Sequence, residues 1–197
     1  DWTPEVSVVL AVKDEIDHLQ ACLDSLLQLD YPQEKLDIIL VNDGSTDGSA
    51  EILKNTAARH THVRIVDITS KSKPGKAGAI LPGIAASHGE IICLTDADCR
   101  VPKTWVRRLV RQFDDSTGLV GGFTVLNEPD DNTPLFGRIQ SCDWLYLLSV
   151  ASATAAMGQP TSWVGNNLAV RRAAYDEIGG FEALDDTLVE DFALLKA

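Results

Sequence analysis

The stretch IICLTDADCR (91–100) runs four apolar residues and a threonine into two aspartates, Asp96 and Asp98, separated only by Ala97. Ile91, Ile92 and Leu94 read as a buried strand, so the carboxylates stand where the strand ends. Two like charges this close raise each other's pKa unless a cation shares them. A polar turn is the simplest explanation for such a triplet, because Asp is common in turns. The segments on either side decide whether it is more than that.

Upstream, the same design repeats. VSVVLAV (6–12), LDIILVN (36–42) and VRIVDI (63–68) are short β-branched runs of the kind that form strands covered on both faces. Between them lie helical patterns. Leu19, Cys22, Leu23, Leu26 and Leu27 recur at helical spacing, and Pro32 stops that helix. DGSTDGS (43–49) is a turn cluster whose Ser45, Thr46 or Asp47 is predicted to cap a helix over 49–59. A helix is predicted over 76–87, where the interior Pro82 implies a kink or a late start. KTWVRRLVRQF (103–113) reads as an amphipathic helix and GLVGGFTVL (118–126) as a fifth strand. This alternation predicts an α/β fold with a doubly wound, mostly parallel sheet. Ligands of such sheets sit beyond the carboxyl ends of the strands. The residues at those ends are Lys13 to Glu15, Asn42 and Asp43, the 69–75 loop, and Asp96 to Asp98, all polar or charged edges.

From residue 127 the pattern changes. A loop leads to a long apolar helix or helix pair over 135–157, then a short strand GNNLAV (165–170) and a helix closed by Gly179 and Gly180. The length of 197 residues is most simply one domain, with 1–126 forming one half and 127–197 the other. The net charge of -12 argues against a nucleic-acid binder. It leaves room for an anionic ligand held by local cations, backbone amides or a metal ion. Four cysteines without a C-x-x-C pair suit buried, reduced thiols better than a disulfide framework or zinc site. The first residue is Asp, and the chain ends in VEDFALLKA, a helical pattern cut off within a turn. The expectation is therefore a piece of a longer protein.

Hard cations such as Mg²⁺ or Mn²⁺ bind through one or two carboxylates together with substrate phosphates, which suits Asp96 and Asp98 at a strand end. KSKPGKAGA (71–79) places Lys71, Lys73 and Lys76 around a glycine-rich bend, though it lacks the P-loop pattern. A solvated basic loop explains it equally well. Lys103, Arg107 and Arg111 read as a solvated helix face, and Trp144 and Tyr146 as core or interface.

Taken together, these segments resemble the family 2 glycosyltransferases of GT-A fold, over essentially the whole chain. VSVVLAVKDEIDHLQACLDSLLQLDYPQEKLDIILVNDGSTDGS resembles their nucleotide-binding segment. KPGKAGAILPGIAASHGEIICLTDADC resembles the lysine-glycine segment leading to a metal-binding D-x-D, and GNNLAVRRAAYDEIGGF with the later VED resembles the acceptor side. The resemblance implies that Asp43 and Glu15 contact the nucleoside, with Ala11, Val12 and Lys13 lining the same pocket. Lys76 would sit by the nucleotide, Asp96 and Ala97 by the ribose or diphosphate, and Asp98 on Mn²⁺ or Mg²⁺. Gly165, Asn166 and Asn167 would line the donor-sugar and acceptor side, with Asp191 as general base beside Glu190. It further implies an inverting transferase that moves a sugar from a nucleotide-diphospho-sugar, UDP-linked, to a hydroxyl of a saccharide or lipid. The parent would be membrane-anchored, with this domain on the cytoplasmic face of the cell membrane. The chain departs from the family pattern at Asp14, commonly Asn; at Asn42, commonly Asp; and at Leu81 and Pro82, where small or polar residues are usual. Two other readings remain: a domain that binds nucleotide-sugars without turnover, and a sugar-1-phosphate nucleotidyltransferase. AVKDEIDHL lacks the glycine- and arginine-containing loop that the latter requires.

Overall fold

The computed structural model describes residues 2–73, 75–126, 134–161 and 163–183. Six strands form one sheet: β1 (Val6–Val12), β2 (Leu36–Asn42), β3 (Val63–Asp67), β4 (Ile91–Asp96), β5 (Leu119–Gly121) and β6 (Asn167–Arg171). Their spatial order is β3-β2-β1-β4-β6-β5. The β1–β2, β2–β3 and β1–β4 pairings are parallel, whereas β6 runs antiparallel to both β4 and β5. The sheet is thus mostly parallel, with one reversed strand.

The helices are α1 (Ile16–Leu27), α2 (Ser49–Arg59), α3 (Gly75–Ala86), α4 (Trp105–Val110), α5 (Leu135–Ala156), α6 (Arg172–Glu177) and α7 (Gly180–Ala183). Side chains alternate across each strand, so two separate cores form. Val6, Val8, Leu10 and Val12 face Leu19, Leu23 and Leu26 of α1, Leu53 of α2, and Trp105 and Leu109 of α4. Val9, Ile39, Val41, Ile92 and Leu94 face Ile80 and Ile84 of α3 and Tyr175 and Phe181 near the chain's described end. Burying both faces explains why these strands show continuous apolar runs rather than alternation.

Several local expectations change. α3 begins at Gly75, well before Pro82, so proline does not delay the helix. Gly83 lets α3 press onto the sheet, because a Cβ there would lie 2.5 Å from Val9 and 2.6 Å from Val41. The fifth strand is much shorter than 118–126. The indole of Trp163 lies against Gly121 and the amide of Asn167 against Gly122, where added Cβ atoms would sit 1.9 and 2.3 Å from them. One further ladder bond, from the Gly122 N–H to the Asn167 carbonyl at 2.8 Å, follows the strand's last residue. α4 is also shorter than its sequence pattern. Gly179 has φ 77° and its N–H reaches the Asp176 carbonyl, which is the predicted termination of α6. Of the thiols, Cys22 and Cys93 are buried, but Cys99 is half-buried and Cys142 exposed.

Candidate functional site

Register brings the strand ends to one edge. Ala11 pairs with Asp96, Val12 with Asn42, and Asn42 with Asp67. The Asp43 N–H continues the ladder to the Val12 carbonyl at 2.9 Å. Over this edge opens a cleft of about 450 Å³, lined by Ala11, Val12, Lys13, Glu15, Asp43, Lys71, Gly75, Lys76, Ala79, Asp96, Ala97 and Asp98. Its volume lies within the usual range for small-molecule sites. Every residue assigned above to the nucleotide or the metal is among them.

The loops that carry these residues are clasped to one another. Asp14 takes a left-handed conformation, φ 52°, and its Oδ1 accepts the Thr46 N–H at 2.7 Å. The Glu15 N–H donates to Ser49 Oγ at 3.0 Å and the Ile16 N–H to Asp47 Oδ2 at 2.9 Å. The Asp14 N–H donates to Ser45 Oγ at 3.2 Å. DGSTDGS therefore satisfies the amides that lead into α1, those of Asp14, Glu15 and Ile16. At α2 the N-cap position is Gly48, which makes no side-chain cap bond, and of the three residues predicted to cap this helix it is Asp47 that reaches its first amide, the Ser49 N–H. Partial desolvation works to raise the Asp47 carboxyl, but the hydrogen bonds from Ser49 and Ile16 prevail and hold it low. Sequence reading missed this clasp because its partners lie about thirty residues apart; the alternation of Asp and Ser in the motif was the available signal.

The charges in the cleft are distributed between three lysines, Lys13, Lys71 and Lys76, and four carboxylates, Glu15, Asp43, Asp96 and Asp98. Lys71 Nζ donates to Asp43 Oδ2 at 2.5 Å and to the Gly75 carbonyl at 3.2 Å. Lys76 pairs with Asp96. The repulsion posed by the D-A-D triplet is thereby relieved on one side, while the Asp98 side chain stays exposed. Glu15 titrates above its ordinary value, first because it is partly desolvated, then because Asp98, Asp96 and Asp47 stand near it, against an opposing pull from His18. Burial, reinforced by Asp98 and Asp96 and for Cys22 also by Cys99, pushes the Cys22 thiol up to about 12 and Cys99 up to about 11. Among the described residues, no three His, Cys, Asp or Glu side chains cluster closely enough to hold a metal alone. Oxygen donors at a strand tip, in a negative local field, fit a cation whose remaining ligands come from a bound phosphate.

Gly165, Asn166 and Asn167 do not line the cleft. The Asn167 amide ties elements together: its Oδ1 accepts the Trp105 indole N–H at 2.8 Å and its Nδ2 donates to the Phe123 carbonyl at 3.0 Å. Asn166 Oδ1 accepts from Thr124 Oγ1 at 2.8 Å. Glu190 and Asp191 lie outside the described residues.

Residues 7–179 match the sequence profile of glycosyl transferase family 2. A probable glycosyltransferase, YdaM of Bacillus subtilis, is 30% identical over 97% of this chain and 46% of its own length. A beta-monoglucosyldiacylglycerol synthase of Synechocystis is 28% identical over 97% of this chain and 39% of its own. The chain thus spans less than half the length of these curated relatives. Among solved structures, a mannosyltransferase from Pyrobaculum calidifontis in complex with GDP-Man and Mn²⁺ superposes with a TM-score of 0.74 at 23% identity, covering 98% of this chain and 50% of that one. At that identity the likeness is one of fold, the GT-A fold.

Proposed function

The chain belongs to glycosyl transferase family 2, and from that premise we propose that its cleft binds a UDP-linked sugar together with Mn²⁺ or Mg²⁺ and presents the sugar to a hydroxyl acceptor for inverting transfer. The observation that carries this reading is the gathering of Asp43, Lys76, Asp96 and Asp98 around one cleft, at the carboxyl ends of three adjacent strands. Asp43, fixed to β1 through its backbone N–H, is suited to accept hydrogen bonds from the edge of a base. Lys76 neutralises Asp96 and is placed to share its charge with a diphosphate.

Asp98 is the residue assigned to the cation, with Glu15 contributing to the negative field that attracts it. Bound there, a divalent cation supplies positive charge that stabilises the departing diphosphate. The remaining chemistry is proton removal from the attacking hydroxyl, a carboxylate's task. It is assigned to Asp191, with Glu190 beside it. Gly165 to Asn167 are assigned to the donor-sugar and acceptor side, where Asn167 acts by bracing α4 against the segment after β5. In this reading 1–126 is the donor half and 127–197 the acceptor half of one domain. The acceptor is a saccharide or lipid hydroxyl, and the parent is membrane-anchored with this domain on the cytoplasmic face. Among the described residues, no helix is long and apolar enough to cross a membrane.

Calorimetric titration of UDP with and without Mn²⁺ tests the site. The expected outcome is binding that depends on the metal. Binding of equal strength without metal, or none at all, contradicts the proposal.

A further inference from the structure

Asn42 stands at the last position of β2, nine-tenths buried, on the strand face opposite Val41. Its amide does two things at once. Oδ1 accepts the Ser45 N–H at 3.1 Å, closing the turn through Asp43 and Gly44. Nδ2 donates to Asp67 Oδ1, the facing residue of β3, at 2.7 Å. The Asn42 carbonyl meanwhile accepts the Ile68 N–H at 3.0 Å, and Asp43 is held to Val12 of β1. The turn is thus pinned from three strands, with Gly44 at φ 69° as the residue that permits its shape.

We propose that Asn42 is a positioning residue which, through Asp67, fixes the direction of the Asp43 carboxylate and so sets nucleoside recognition in the cleft. This rests on the reading of Asp43 as the base-side contact. The chemistry of the position is restrictive. A side chain must accept toward Ser45 and donate toward Asp67, which among isosteres only the amide does. Aspartate accepts from Ser45 equally well, but it turns its second oxygen toward the Asp67 carboxylate, where no proton lies between them. Relief of that repulsion rotates the side chain and loosens the turn. Asp43, whose carboxylate reaches Lys71 at 2.5 Å, moves with it. The diphosphate end of the cleft, at Lys76, Asp96 and Asp98, is carried by α3, β4 and the turn after β4 and is not moved.

The test uses two probes on the purified chain, UDP with Mn²⁺ and pyrophosphate with Mn²⁺. Asn42→Asp is expected to weaken UDP about tenfold, the scale of one charge-assisted hydrogen bond, and to leave pyrophosphate within about twofold. The swapped pair, Asn42→Asp with Asp67→Asn, restores the donor and acceptor in reverse order and recovers UDP binding. Asp67→Leu, which removes the acceptor and adds no charge, also weakens UDP selectively and covers the case in which Asn42→Asp misfolds. UDP and pyrophosphate falling together, an unchanged UDP affinity in Asn42→Asp, or a swapped pair that fails to recover each overturns the proposal. The underlying reading fails separately, if the unmodified chain shows no preference for UDP over pyrophosphate.

Discussion

The sheet with its parallel strand ends and the long helix α5 carry similar amounts of apolar sequence and use it in opposite ways. In β1, β2 and β4 nearly every side chain is buried between two helical layers. In α5, 22 residues long, only Leu148 and Ala151 are buried, while Leu135, Phe136, Ile139, Tyr146, Leu147 and Val150 face outward. Hydrophobicity therefore marks the core in the first region and an outer face in the second. The first region also has its loops cross-tied by Asp14, Ser45, Asp47 and Ser49. Among the described residues, a cleft on a doubly covered sheet thus stands in contrast to a helix that leaves most of its apolar side chains exposed.

The sharpest way to test that contrast is to abolish transfer without touching the donor cleft. In the full-length protein, Asp191→Asn is expected to lower the transfer rate by about 10²–10⁴-fold, the usual worth of a positioned base, while UDP affinity stays within about twofold. A parallel loss of nucleotide binding would break the separation. Next in size is the packing contrast itself. Leu10→Ala empties a fully buried site in β1 and is expected to cost about 2–5 kcal/mol. Leu147→Ala, on the outer face of α5 and 53% exposed, is expected to cost no more than about 0.5 kcal/mol. Equal losses in chemical denaturation would show that α5 is covered after all.

The clasp gives an intermediate effect. Asp14→Ala removes the acceptor for Thr46 and leaves a β-carbon residue at φ 52°, at a combined cost of about 1–3 kcal/mol. Asp14→Asn keeps the acceptor and tolerates the left-handed conformation, and is expected to stay within about 0.5 kcal/mol of the parent. If alanine and asparagine melt alike, the clasp does not hold the loop.

The smallest effect concerns Glu15. Its folded-state pKa is raised above the ordinary 4.5, so the charged form opposes folding. That penalty is absent at pH below the unfolded value, grows as pH rises through the raised range, and is complete above it. Glu15→Gln is accordingly expected to melt slightly higher than the parent at about pH 7.5 and level with it at about pH 3.5. An equal difference at both would place the effect elsewhere than in the carboxyl's charge.

Much of the donor side was legible in sequence because one physical signal, the β-branched run ending in a polar edge, recurs at β1, β2 and β4 and so names both the strands and the cleft residues between them. The reversed direction of β6 left no such mark, since register across a sheet is not local. The close approach of Trp163 and Asn167 to Gly121 and Gly122 was hidden because the partners lie more than forty residues apart in sequence. The partners of DGSTDGS were hidden for the same reason. The apolar content of 135–157 correctly indicated a helix but gave no sign of which face would be buried, because its apolar residues surround the axis.

The most direct measurement is the anomalous scattering of manganese in crystals of the chain grown with UDP and Mn²⁺. A single peak is expected within about 2.1 Å of an Asp98 carboxylate oxygen, bridging to the diphosphate, and lost in Asp98→Ala. UDP bound in the cleft with manganese absent from Asp98, or with the metal held elsewhere, would contradict the proposed site.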